Sequence, residues 1–328
     1  MVGVSTPACV KSHHLALGLL AVLALLISAC SSGGSGPNKT VTQTASGAGA
    51  SSSASPSKTK PTGPPPKPVH IKLFNEDGVK YGVGIPVIAF FSKKISSGKA
   101  LQNATTVTVN GQKSKGAWYF ESSQYLKGYP IEAHFRLEHY WPAHATVKVS
   151  IPTKGLSAGK GLAYDDSLTL DFTTGAANIS VVNDATHTIT VTSDGKPYGK
   201  FPVSLGASNT PTAHGTKVIM EKGRSICMSG PGYHECGVKY TQRLTYGGEY
   251  LHSAPWNVGH IHNGIDSSNG CTNMLPNDAQ RVFGFLRIGD VVTYPNANGP
   301  QMSLGAGYGD WNVDWGQWQT GGLVSTTS

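Results

Sequence analysis

Cys271 directly follows Gly270 and stands nineteen residues after His252. A thiol attacks acyl groups as the thiolate, and an ordinary cysteine pKa of about 8.5 leaves most of it protonated at neutral pH. A histidine within hydrogen-bond reach takes that proton and leaves an ion pair ready for attack. The oxyanion that follows needs backbone N–H donors, most easily supplied by a tight glycine-containing turn. The run Ser268-Asn269-Gly270-Cys271-Thr272-Asn273 offers such a turn. Tyr250-Leu251-His252-Ser253-Ala254-Pro255-Trp256 places the histidine at the end of an apolar strand, and the polar spacer between is long enough to fold back. These parts together would serve nucleophilic acyl chemistry, although the spacing by itself does not single it out. The competing reading is a zinc or copper site built from His252, His260, His262 and Cys271, since His260-x-His262 shares one face if that segment is a strand. Histidines in a polar spacer are ordinarily just exposed, so neither a metal nor a cofactor is expected.

The elements around these residues read as mainly β. The 328 residues include 41 Gly and only 13% charged side chains, and short β-branched runs alternate with turns, which disfavours helical bundles. Residues 1–30 read as a signal segment: Lys11, His13 and His14 precede an apolar run from Leu15 to Ile27 that is too short for a confident membrane span. Its end, Ile27-Ser28-Ala29-Cys30, resembles a bacterial lipobox, which would lipidate Cys30 and tether the protein outside the membrane; an ordinary cleavage site is the alternative. Residues 31–68 are Ser, Gly, Thr, Pro and Lys, a tether with nothing to bury, spanning on the order of 35 Å as a coil. The formal charge of +8 suits anionic envelope polymers. Export, and the lack of a basic helical stripe, exclude nucleic acid. A monomer is expected.

From Val69 to about residue 175 the alternating runs Thr106–Val109, Ala145–Ile151 and Ser167–Thr173 predict an immunoglobulin-like sandwich. Residues 176–296 form a second β-rich domain. Thr188–Thr192 turns through Asp194-Gly195 into Tyr198–Leu205, and further strands are expected over Thr216–Met220 and Leu244–His252. One helix is predicted from Pro276 to about Ile288, with Ala279, Val282, Phe283 and Leu286 as its stripe and Gly289 at its C-cap. Residues 297–328 carry Trp311, Trp315 and Trp318, so this tail is expected to pack on the body. Cys227 and Cys236, nine apart, read as a disulfide outside the cytoplasm, contributing roughly 2–3 kcal/mol; two free thiols are the alternative.

The second domain resembles the L,D-transpeptidase family with its YkuD-type catalytic domain. The resemblance runs through Thr210-Pro211-Thr212, Tyr246-Gly247-Gly248-Glu249-Tyr250, the block His252–Trp256, Ser268–Asn273, Gly289-Asp290 and Gly309-Asp310-Trp311-Asn312. The sandwich and lipobox tether match the actinobacterial lipoprotein members. It implies acyl transfer between peptidoglycan stem peptides: Cys271 as nucleophile, His252 as base and then acid, the Ser253 carbonyl orienting the ring, and the N–H groups of Gly270 and Cys271 as oxyanion hole. Asn273, Asn269 and the Tyr246, Gly247, Gly248 strand would position substrate, with Tyr233 as a lid inside the Cys227–Cys236 loop. Asn269 departs from the family pattern, which has His there, and cannot titrate near neutral pH. Leu275 stands where a capping Ser is usual, which removes an N-cap. A carboxypeptidase using the same thioester, or a wall-binding relative without activity, are the alternatives.

Overall fold

The computed structural model describes residues 63–230 and 232–327. The signal segment, Cys30 and nearly all of the tether lie outside the described residues. Among the described residues no helix is long and apolar enough to cross a membrane.

The N-terminal half is a β-sandwich. Alternating side chains over Thr106–Val109, Thr146–Ile151 and Leu168–Thr174 put Val107, Val109, Val147, Val149, Ile151, Leu170 and Phe172 on one inner face. These strands pair with Lys80–Tyr81 and Gln112–Ser114 in a five-stranded sheet. Facing it is a four-stranded sheet of Ile71–Leu73, Val87–Phe91, Ile131–Leu137 and Gly116–Ser122. Asn110 and Gly111, both at positive φ, close the tight turn that the Asn-Gly pair predicts.

The C-terminal half is one nine-stranded sheet, in the order Gly215–Val218, Val291–Tyr294, Asn178–Asn183, Thr188–Ser193, Lys196–Ser204, Thr272–Met274, Tyr250–Ser253, Tyr233–Arg243 and Glu221–Gly230. The fold is mainly β, a sandwich followed by a second β-rich domain. Helix Pro276–Phe285 packs Ala279 and Val282 into the core of this sheet. It stops three residues before the expected end: Leu286 turns extended and sinks into the core, while the Lys222 ammonium donates to the Phe283 and Leu286 carbonyls. Leu275 caps nothing with its side chain, and Pro276 opens the helix. Gly289, predicted as a C-cap, instead lies against the sandwich. Its φ is +93°, and a Cβ there would sit 2.7 Å from the Gly82 nitrogen. The Gly82 N–H donates to Ile288 O and the Gly84 N–H to Gly289 O, each at 2.8 Å.

That seam joins the halves into one body, and the apolar core of the sandwich continues through Val218, Met220, Tyr308 and Val324. The tail closes over its edge. Trp318 stacks on Tyr119 and donates to Ala117 O at 2.9 Å, and the Arg136 guanidinium lies over the rings of Trp318 (4.4 Å) and Trp311 (4.7 Å). Such contacts add cation–π attraction to a large buried area.

Candidate active site

The base and the nucleophile arrive on neighbouring strands. Tyr250–Ser253 runs parallel to Thr272–Met274, with Leu251 opposite Thr272 and His252 opposite Asn273. The apolar run before His252 buries Leu251, and the ladder then brings the Cys271 end of the turn beside it. His252 and Cys271 line one cavity of about 380 Å³, together with Tyr233, Trp256, Asn269 and Asn273.

His252 is 4% exposed, and its Nδ1–H donates to Ser253 O at 2.9 Å. That bond leaves Nε2 as the lone-pair nitrogen. Burial holds the imidazole below its ordinary pKa, so the ring rests neutral. Trp256, otherwise exposed, stacks on the ring with centroids 5.9 Å apart. The Cys271 thiol is 6% exposed and donates to Gly248 O at 3.5 Å. Burial pushes it up to about 12, Glu249 adds to the rise, and Lys217 and a Tyr250 backbone bond oppose it. Burial thus favours the neutral form of both groups at rest.

The turn that carries the nucleophile is tied from three sides. The Thr210 hydroxyl donates to Ser268 O (2.8 Å) and the Thr212 hydroxyl to Gly270 O (3.0 Å). The Ser268 hydroxyl donates to Cys271 O at 2.6 Å and accepts the Gly270 N–H at 3.1 Å. Gly270 takes φ +98°, a conformation that only glycine adopts freely. Its N–H, assigned by resemblance to the oxyanion, is thus already engaged within the turn.

Beneath the turn lies a pair that sequence reasoning missed. Lys217 is fully buried; its ammonium binds the Glu249 carboxylate and sits 4.0 Å over the Tyr294 ring. Glu249 also accepts the Ala213 N–H at 2.8 Å, and Tyr294 meets the Thr272 hydroxyl at 2.8 Å. Nothing in Gly215-Thr216-Lys217-Val218 signals this, because lysine on a strand is ordinarily solvated. Trp256, in contrast, stood within the His252–Trp256 block.

Two expectations need correction. Leu244–His252 is not one strand: it breaks at a turn in which the Gly248 N–H donates to Thr245 O at 3.2 Å and Gly248 takes φ +98°. Tyr246, expected at the substrate, turns to the sandwich and stacks on Tyr125 at 5.7 Å, because its ring finds aromatic surface there. The Gly247 and Gly248 backbones remain beside the site, Gly247 in a second cavity of about 370 Å³ shared with Glu249, Asn269 and Gly270. Asn269 is exposed on the lip between the two cavities. Asn273 is buried with its Oδ1 unpartnered.

Tyr233 begins the strand Tyr233–Arg243 at the tip of the long hairpin with Glu221–Gly230, where Cys227 and Cys236 are joined. The metal reading loses its geometry. Val258–Asn263 is helical, so His260 and His262 point about 200° apart. The His260 Nδ1–H donates to Asn257 Oδ1 at 2.9 Å, and His262 is exposed.

Comparison with known proteins agrees with this arrangement. Residues 177–293 match the L,D-transpeptidase catalytic domain, YkuD, and residues 31–157 match a bacterial Ig domain. The chain is 31% identical to L,D-transpeptidase 2 of Mycobacterium tuberculosis over 75% of this chain and 60% of that protein. It is 30% identical to L,D-transpeptidase 5 of the same species over 74% of this chain and 54% of the relative. It spans little more than half the length of these relatives. Among solved structures, an L,D-transpeptidase in complex with imipenem superposes with a TM-score of 0.56, at 27% identity, covering 70% of this chain and 100% of that one. L,D-transpeptidase 3 of M. tuberculosis, with a faropenem-derived adduct, gives 0.54 at 26% identity, covering 69% and 97%. The chain thus carries an L,D-transpeptidase catalytic domain of the YkuD type, preceded by a bacterial Ig domain.

Proposed function

We propose that this protein is a peptidoglycan L,D-transpeptidase that forms 3→3 cross-links through a thioester on Cys271. The observation that carries the reading is that His252 and Cys271 share one cavity while Ser253 O holds Nδ1–H, freeing Nε2 for the thiol proton. Substrate entry replaces the Gly248 carbonyl as partner of the thiol; Nε2 takes the proton as Sγ attacks the carbonyl of the third stem residue. The imidazolium returns that proton to the leaving D-Ala amine. A neighbouring stem amine then attacks the thioester, giving its proton to His252 and releasing the thiol. The oxyanion faces the Gly270 and Cys271 N–H groups, the first shared with Ser268 Oγ. The unpartnered Asn273 Oδ1 would accept a substrate amide N–H.

Transfer to an amine is favoured over hydrolysis by the two cavities flanking Asn269 and Gly270, which offer room for two stems. Tyr233 closes over the first of them. The same reading has Cys30 lipidated, a monomer held at the outer face of the membrane, and the tether giving it reach into the wall. Mass spectrometry of products from a purified tetrapeptide muropeptide tests the reaction, wild type beside Cys271→Ala. Dimers lacking one D-Ala, absent from the variant, are expected. Monomers lacking D-Ala would mean hydrolysis, and unchanged substrate would mean a wall-binding protein.

A further inference from the structure

Glu121 and Glu132 lie directly opposite each other on the antiparallel strands Gly116–Ser122 and Ile131–Leu137. Like charges in that position repel, and these two are withdrawn from water, with side chains 11% and 1% exposed. His134, two residues beyond Glu132 and so on the same face, is itself 1% exposed. Its Nε2 stands 3.6 Å from Glu121 Oε1 and 3.7 Å from Glu132 Oε1, and it has no hydrogen-bond partner. The other ring nitrogen, Nδ1, lies 2.7 Å from Oδ1 of the fully buried Asp310. The second oxygen of Glu132 accepts the Ser123 hydroxyl at 2.8 Å.

These separations are too long for hydrogen bonds. They fit donor atoms arranged around an ion about 2.1 Å from each, whose tetrahedral edges would be roughly 3.4 Å. A ligating histidine usually donates its other N–H to a carboxylate, which sets the tautomer, and Asp310 stands where that role requires. Charge points the same way. Three carboxylates with one imidazolium leave the cluster two negative charges; with a neutral imidazole and a divalent ion they leave one. The Arg136 guanidinium lies over the tryptophan rings and donates to Val313 O at 2.8 Å, and of the cluster it acts on Asp310.

We propose that Glu121, Glu132 and His134 bind a divalent first-row cation of the zinc class, with Asp310 orienting His134. Three ligands come from the sandwich and the orienting carboxylate from the C-terminal segment, so the ion staples that segment to the Ig-like domain. The proposal stands apart from the transpeptidase reading and shares no residue with it.

The test uses untagged protein carrying Cys271→Ser, which removes a competing thiol. Zn2+ is titrated against a chromophoric chelator, with bound metal counted by mass spectrometry of the dialysed protein. One equivalent per chain is expected. Glu121→Gln should weaken binding by roughly 100-fold, and Asp310→Asn by about 10- to 100-fold. His187→Ala, in the separate Asp184, His187, Asp266 cluster, should change nothing. Glu121 is the least buried ligand, so its variant keeps the fold even if His134→Gln does not. Binding no tighter in the parent than in Glu121→Gln would overturn the proposal, as would binding lost only in His187→Ala.

Discussion

The two walls of the cavity differ in kind. On one side the nucleophile turn is buried and tied by Thr210, Thr212 and Ser268, with the Lys217–Glu249 pair beneath it. On the other the hairpin Glu221–Arg243 exposes most of its tip, and its covalent tie is the Cys227–Cys236 bond. The first wall fixes reacting atoms, which catalysis needs held within fractions of an ångström. The second carries Tyr233, and on the proposed function it is the wall that moves to admit a peptide. Chemistry and adaptability are thus assigned to different pieces of one sheet.

Variants separate the two walls. On the fixed wall, His252→Gln removes the base and should slow thioester formation by about 10²- to 10⁴-fold, read by stopped-flow acylation; a loss under tenfold would move the base elsewhere. Lys217→Met leaves Glu249 uncompensated and should destabilise the protein by about 3–5 kcal/mol in denaturant melts. Adding Glu249→Leu should recover much of that. On the movable wall, Cys227→Ser with Cys236→Ser should cost roughly 2–3 kcal/mol and raise KM more than it lowers kcat. An equal loss in both would make the hairpin part of the fixed wall. Asn269→His, on the lip, should alter acylation by less than about threefold, since Asn269 is exposed and the base lies elsewhere.

The acid limb of the rate has a worked sign. Burial lowers the His252 pKa, so the base stays neutral until the pH falls below the ordinary imidazole value of about 6.5. The thiol, pushed up to about 12, adds no limb near neutrality. Acylation should be flat from about pH 7 to 9 and fall in acid; a fall near pH 8–9 would instead reveal a resting ion pair.

Much of this was legible in the residues. Alternation and the Asn110-Gly111 and Asp194-Gly195 turns marked strands of both halves, and the residues around His252 and Cys271 marked the family. What escaped depends on tertiary context. Tyr246 could not be aimed without knowing that Tyr125 lies across the seam, and Gly289 looked like a helix cap because Gly82 was not yet beside it. Lys217 and Glu249 are ordinary surface types, and Lys217 is buried here because Glu249 supplies the opposite charge. Likewise Glu121, Glu132 and His134 stood unremarked among alternating residues until strand pairing set them face to face.

The central claim is that Cys271 is the acylated nucleophile, and intact-mass spectrometry after exposure to a carbapenem tests it most directly. The account predicts one adduct per chain, mapping to the peptide that contains Cys271 and absent from Cys271→Ala. An adduct on another residue, or one that persists in the variant, would contradict it.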